Sequence, residues 1–122
     1  MRPTDTIKVV KRIGKKTDDK AIMLEVRKIK AFKPETKYGR TTLVYFTEDG
    51  EYIDEIRTEQ TMKLFEELDG FVKTSRGNMV QISEIQHIDE NNFKIYVDKV
   101  KSVFVDVSAL HLKIIKKLLN IK

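Results

Sequence analysis

Residues 41–56 read TTLVYFTEDGEYIDEI, two β-rich runs separated by an Asp-Gly pair. β-branched and aromatic residues suit a pleated, half-buried surface, and Asp-Gly is a strong signal for a tight hairpin turn. An antiparallel hairpin is expected, with TTLVYFT as one arm and Tyr52-Ile53-Asp54-Glu55-Ile56 as the other. It is the clearest hairpin in the chain, and the other segments have to fit an antiparallel framework around it.

Those segments are short and punctuated by charged turns. TIKVVKRI (6–13) reads as a weak first strand, GKKTDDK as a polar turn, and AIMLEV (21–26) as an apolar run ending at Arg27-Lys28. Ile29, Ala31 and Phe32 continue as a short strand. Residues 33–40 read as a loop, because Pro34 lacks a ladder donor and Gly39 permits positive φ. A mid-chain helix follows. Thr58 is its expected N-cap, Glu59 favours the dipole, Leu64, Phe65 and Leu68 share a face, and Gly70 stops it. Strands are expected at 71–74, 78–81 and 85–89, then a hairpin of 93–97 with 103–107. The last helix runs from about Ser108 to Asn120. Leu112, Ile115 and Leu119 form its apolar face, widened by Ile114 and Leu118, and Lys116 and Lys117 lie near its negative end. The fold class is mainly β with two helices (α+β), one helix mid-chain and one C-terminal.

With 122 residues, a single domain over 1–122 is expected, residues 1–20 being an N-terminal extension or an extra strand. The absence of cysteine excludes disulfides and thiol chemistry. No apolar run has the length of a signal peptide core or a membrane span, so a cytoplasmic protein is expected. Chemistry of the catalytic kind lacks support. His87 and His111 are not spaced as metal ligands, Glu66 and Glu67 point about 100° apart on a helix, and no phosphate-cradling glycine motif occurs. The expectation is no enzyme, no cofactor, no metal and no small-molecule substrate.

The charge is unevenly distributed. The formal net charge is +5, but residues 1–40 carry +8, residues 41–72 carry −7 and residues 73–122 carry +4. Two basic segments flank an acidic one, which suits a basic face set against a polyanion with the acidic segment turned away.

One basic stretch interrupts β-structure: in FVKTSRGNMVQISEIQHID (71–89), apolar arms enclose Lys73-Thr74-Ser75-Arg76-Gly77-Asn78. This stretch, with Ile29-Lys30-Ala31-Phe32, the Glu48-Asp49-Gly50 hairpin, Phe65-Glu66-Glu67-Leu68, Ile85, Ile88 and the Val103–Leu119 ending, resembles the LytTR family of bacterial DNA-binding domains from about Ile22 to Leu119. The family's His-Arg-Ser is replaced by Ser75-Arg76-Gly77, and its Val-Asn by Val80-Gln81. The resemblance implies elongated antiparallel β-sheets that lay loops on duplex DNA. It assigns a first contact to Lys37, Tyr38, Gly39 and Arg40, a signature loop to Ser75, Arg76 and Asn78 with Lys73, and a third contact from Ser108, with Lys113 replacing the usual cation. Arginine and asparagine suit guanine and adenine edges; Lys33, Lys37 and Lys73 suit phosphates.

The function implied is a sequence-specific double-stranded DNA-binding transcription regulator without its own receiver domain. Its sites would be paired direct repeats, occupied by two monomers or by a homodimer on DNA, with no membrane partner. The alternative is a degenerate LytTR-like protein-interaction module modulating a partner regulator. A third reading, single-stranded nucleic acid or RNA, would use Tyr38, Tyr45 and Phe46 for stacking.

Overall fold

The computed structural model describes residues 2–54 and 63–120. Among these residues, ten strands form two antiparallel sheets. The larger contains β1 (Thr6–Ile13), β2 (Lys16–Glu25), β3 (Ala31–Lys37), β4 (Arg40–Thr47), β5 (Gly50–Asp54), β6 (Phe71–Ser75) and β7 (Asn78–Gln81), in the order β2-β1-β5-β4-β3-β7-β6. The smaller has β8 (His87–Asp89), β9 (Lys94–Tyr96) and β10 (Phe104–Asp106) in the order β10-β9-β8. Helix α1 is described over 63–66, and α2 spans Ala109–Leu118. The fold is mainly β with two helices, as expected.

The larger sheet buries both faces, so its inner strands alternate between two apolar sets rather than between apolar and polar. One face presents Phe32, Leu43, Tyr45 and Met79 to Phe65 of α1 and to Phe71. Ring centroids there are close, 4.8 Å for Phe32–Phe65 and 5.0 Å for Phe65–Phe71, both edge-on. Each such ring contributes roughly 1.5–3 kcal/mol by leaving water. The other face presents Ala31, Val44, Phe46, Ile53 and Val80 to Ile95, Val97 and Val105 of the small sheet and to Leu112 and Ile115 of α2. The buried carboxylate of Asp54 accepts the Tyr45 hydroxyl at 3.2 Å; burial, with the Asp54 charge beside it, pushes the Tyr45 pKa up.

Several elements differ from the sequence expectation. GKKTDDK is not a turn: only Gly14 and Lys15 turn the chain, and β2 begins at Lys16 because Lys16–Glu25 is carried by its ladder to β1. Residues 33–37 are strand rather than loop. Pro34 is tolerated because β3 pairs with β7 only through Ala31 and Phe32, leaving that edge free where the proline stands. Residues 82–84 form a 3₁₀ turn and β8 is shortened to His87–Asp89. Leu64, Ile114 and Leu118 are exposed, so neither helix buries the full apolar face assigned to it. Thr58, Glu59, Glu55 and Ile56 lie outside the described residues.

Candidate nucleic-acid interface

Strand direction brings the three sequence-assigned contact regions to one end of the molecule. β3 and β7 are antiparallel, so the Asn78 end of β7 points the same way as the Lys37 end of β3. The β3–β4 turn, the β6–β7 turn and the start of α2 therefore lie toward the same end, the β3–β4 turn projecting past Pro34, where the β6–β7 turn meets β3. Two contacts tie the β6–β7 hairpin to α2 and to β3. The Ser108 N–H donates to the Thr74 carbonyl at 2.7 Å. A Cβ placed on Gly77 would stand 2.8 Å from Cγ of Pro34, so the β6–β7 turn rests directly on β3.

The β3–β4 turn is the most prominent. Lys37 pairs with Arg40 across it, and Tyr38 and Gly39 take φ of 51° and 76°. Positive φ at both central positions is the type I′ pattern of two-residue hairpins. Tyr38 is fully exposed and Arg40 is exposed. Lys37 is exposed too, with its Nζ 3.2 Å from Glu35. Burial pushes the Glu35 pKa up, but hydrogen bonds from Arg12 and Lys37 outweigh it and hold that carboxyl below its usual range.

The β6–β7 turn consists of Arg76 and Gly77, flanked by the pair Ser75 and Asn78. Gly77 has φ 90°, and Arg76 projects into solvent. Just before it a bulge at Thr74 breaks the ladder register, which frees the Thr74 carbonyl to receive Ser108. Asn78 does not face solvent: it is buried, and its Nδ2 makes a long 3.5 Å contact with the Asp106 carbonyl. Its assigned base contact is therefore corrected to a link between the two sheets. Lys73 is exposed and paired with Glu66 at 2.9 Å.

At the third region the Ser108 Oγ accepts the His111 N–H at 3.2 Å and lies 2.6 Å from His111 Nδ1. The hydroxyl is thus committed to capping α2. Lys113 is exposed one turn on. Lys33, assigned to phosphates, lies over the Phe46 and Phe104 rings at 5.6 and 5.9 Å and packs between the sheets instead. Tyr45 and Phe46 are both buried, which leaves only Tyr38 of the three rings that the single-strand reading required.

The acidic turn Glu48-Asp49 stands at the far end of β4 from Arg40, about 25 Å away along eight residues of strand. Glu51 does not belong to that solvent-facing tip: its carboxylate accepts Arg12 Nε and Nη2 at 3.1 and 3.0 Å. Arg12 is a residue the sequence reading missed. Two cations follow the valine pair in KVVKRI, but nothing there marks Arg12, because its partners Glu35 and Glu51 are distant in sequence. Among the described residues no group of His, Asp and Glu forms a metal site, and no helix is long and apolar enough to cross a membrane.

Comparison with known proteins bears on the family and the fold. Residues 19–120 match the family model described as the LytTr DNA-binding domain. The structure is similar to the LytTr DNA-binding domain of a Bacillus cereus protein described as a methyl-accepting/DNA response regulator. The TM-score is 0.65 and the identity 20%, over 94% of this chain and 96% of that one. No curated protein matches the chain. At that identity the likeness carries the fold, while the family model covers most of the sequence: the chain belongs to the LytTR family of DNA-binding domains.

Proposed function

We propose that the protein is a sequence-specific regulator of transcription that reads duplex DNA through the end of the molecule where the β3–β4 turn, the β6–β7 turn and the start of α2 lie. The observation that carries this is the exposure of Lys37, Arg40, Arg76 and Lys113 at that end, with the acidic turn at the other. In this reading Arg76 is the base reader, since a guanidinium on a two-residue turn is free to chelate guanine O6 and N7. Lys37, Arg40, Lys73 and Lys113 position the protein on phosphates, and Tyr38 adds an apolar tip. Ser75 flanks the reader, while Ser108 and Asn78 hold the contact regions in register. The protein acts in the cytoplasm as a response-regulator type of output domain, at paired direct-repeat sites that seat two copies.

A second reading, an interaction module for a partner regulator, is favoured by one observation. With Asn78 buried and Ser108 capping, the contact end is poor in free base-reading groups, while Leu110, Ile114 and Leu118 leave an exposed apolar band on α2. Selection of bound duplexes from a random pool, beside a random single-stranded pool, tests the two. The first reading expects a recovered duplex motif; retention of neither pool favours the second.

A further inference from the structure

We propose that the hairpin of β1 and β2 is a further arm of the duplex-binding surface, closing a cleft that takes a backbone phosphate. The inference rests on the reading above for the β3–β4 turn. It concerns residues outside the matched family segment, since Arg12, Lys15 and Thr17 all precede residue 19.

The cleft holds about 560 Å³ and is shared between the two hairpins. Arg12, Lys15 and Thr17 line one side, and Lys37, Arg40 and Thr42 line the other. Arg12 latches the arm in place. Its side chain is 13% exposed and bonds Glu35 of β3 and Glu51 of β5, each at 3.0 Å. Burial works against a charged Arg12, yet the hydrogen bonds of Glu51 and Glu35 outweigh it, which keeps the latch closed.

Charge matching decides what the cleft takes. Two carboxylates, Glu35 and Glu51, offset Arg12 and Lys37. Lys15 and Arg40 have no ion-pair partner among the described residues. They leave two unmatched positive charges, with threonine hydroxyls beside them. Among the described residues Ile53 is the one apolar side chain lining the cleft, so an aromatic or aliphatic ligand finds little to bury against there. Cations and hydroxyls around a solvent-open cleft suit a phosphate oxygen. Because Lys37 and Arg40 belong both to the cleft and to the β3–β4 turn, a duplex seated on the turn carries its own phosphates to the opening.

The test uses the full chain, the duplex recovered by selection and a random-sequence duplex, across a salt series. Lys15 stands on an exposed turn, so Lys15→Ala leaves the fold intact. The expected result is a loss of about fivefold on both duplexes and a slope of log K against log salt less negative by about 1. Lys37→Ala is the companion variant. If Lys37→Ala weakens binding and Lys15→Ala changes neither affinity nor slope, the inference is overturned while the β3–β4 reading stands. If neither variant matters, that reading falls as well. Inorganic phosphate added at constant ionic strength forms the last arm. It should displace duplex from the wild type more readily than from Lys15→Ala, because free and duplex phosphate compete for the cleft; equal displacement from both proteins places the competition elsewhere and overturns the cleft assignment.

Discussion

The backbone N–H of Ser108 donates to the carbonyl of Thr74 at 2.7 Å, joining the first turn of α2 to the bulged end of β6. Two of the proposed contact regions, separated by more than thirty residues of sequence, are fixed to each other by this bond. The Ser108 hydroxyl caps the helix, whereas the Thr74 hydroxyl is buried without a partner. Ser108→Ala should therefore cost about 1 kcal/mol. Thr74→Val, which keeps the carbonyl and removes an unsatisfied hydroxyl, should be neutral or stabilising. Urea unfolding of the two variants checks the contrast.

Gly77 and Gly39 both hold positive φ on the β6–β7 and β3–β4 turns, but of the two only Gly77 lies against a neighbour, Pro34. Gly39→Ala meets open space and should cost about 1 kcal/mol from the backbone conformation alone. Gly77→Ala adds a collision with Pro34 and should cost more, roughly 2–3 kcal/mol. Thermal or urea unfolding ranks them, and equal losses would mean the β6–β7 turn does not rest on β3.

The ion pairs around Glu35 give a pH signature. Its folded pKa is depressed, so its contribution to stability is present above the unfolded value of about 4.3 and is lost as pH falls through the folded value. Glu35→Gln should be less stable than wild type near neutral pH. The difference should vanish in acid, where wild-type Glu35 is also neutral. Denaturant midpoints from neutral pH down to about pH 3 measure it.

Glu48→Lys with Asp49→Lys reverses the charge of the distal turn. At about 25 Å from Arg40 it lies several Debye lengths from the proposed contact end, with about 8 Å per length at physiological salt. Duplex affinity should be unchanged. Tenfold tighter binding would place that turn near phosphates and invert the orientation. Glu51 is unsuitable for this test because its carboxylate holds Arg12.

The framework was legible where local chemistry and pairing agree. The Asp-Gly hairpin, the strands around Arg76-Gly77 and the Ser108-capped helix all appear where residue type places them. The misreadings have distinct causes. KTDDK and Lys33–Lys37 look like loops by composition, but hairpin partners in β1 and β4, three to eleven residues away, make them strands. The resemblance assigns Asn78 to the signature loop, but period-two alternation along β7 turns its side chain inward. Arg12 was invisible because its meaning depends on Glu35 and Glu51, which only the folded sheet brings to it. Ile114 and Leu118 show the converse: apolar residues beside a helix's buried stripe need not be covered.

The account stands most directly on what Arg76→Ala does to specificity. Affinity for the selected duplex and for a random duplex should be measured with wild type, Arg76→Ala and Lys37→Ala at one salt concentration. The account predicts that Arg76→Ala loses roughly 1–3 kcal/mol on the selected duplex and little on the random one, while Lys37→Ala weakens both alike. Equal losses on both duplexes for Arg76→Ala would contradict it and make Arg76 another phosphate contact.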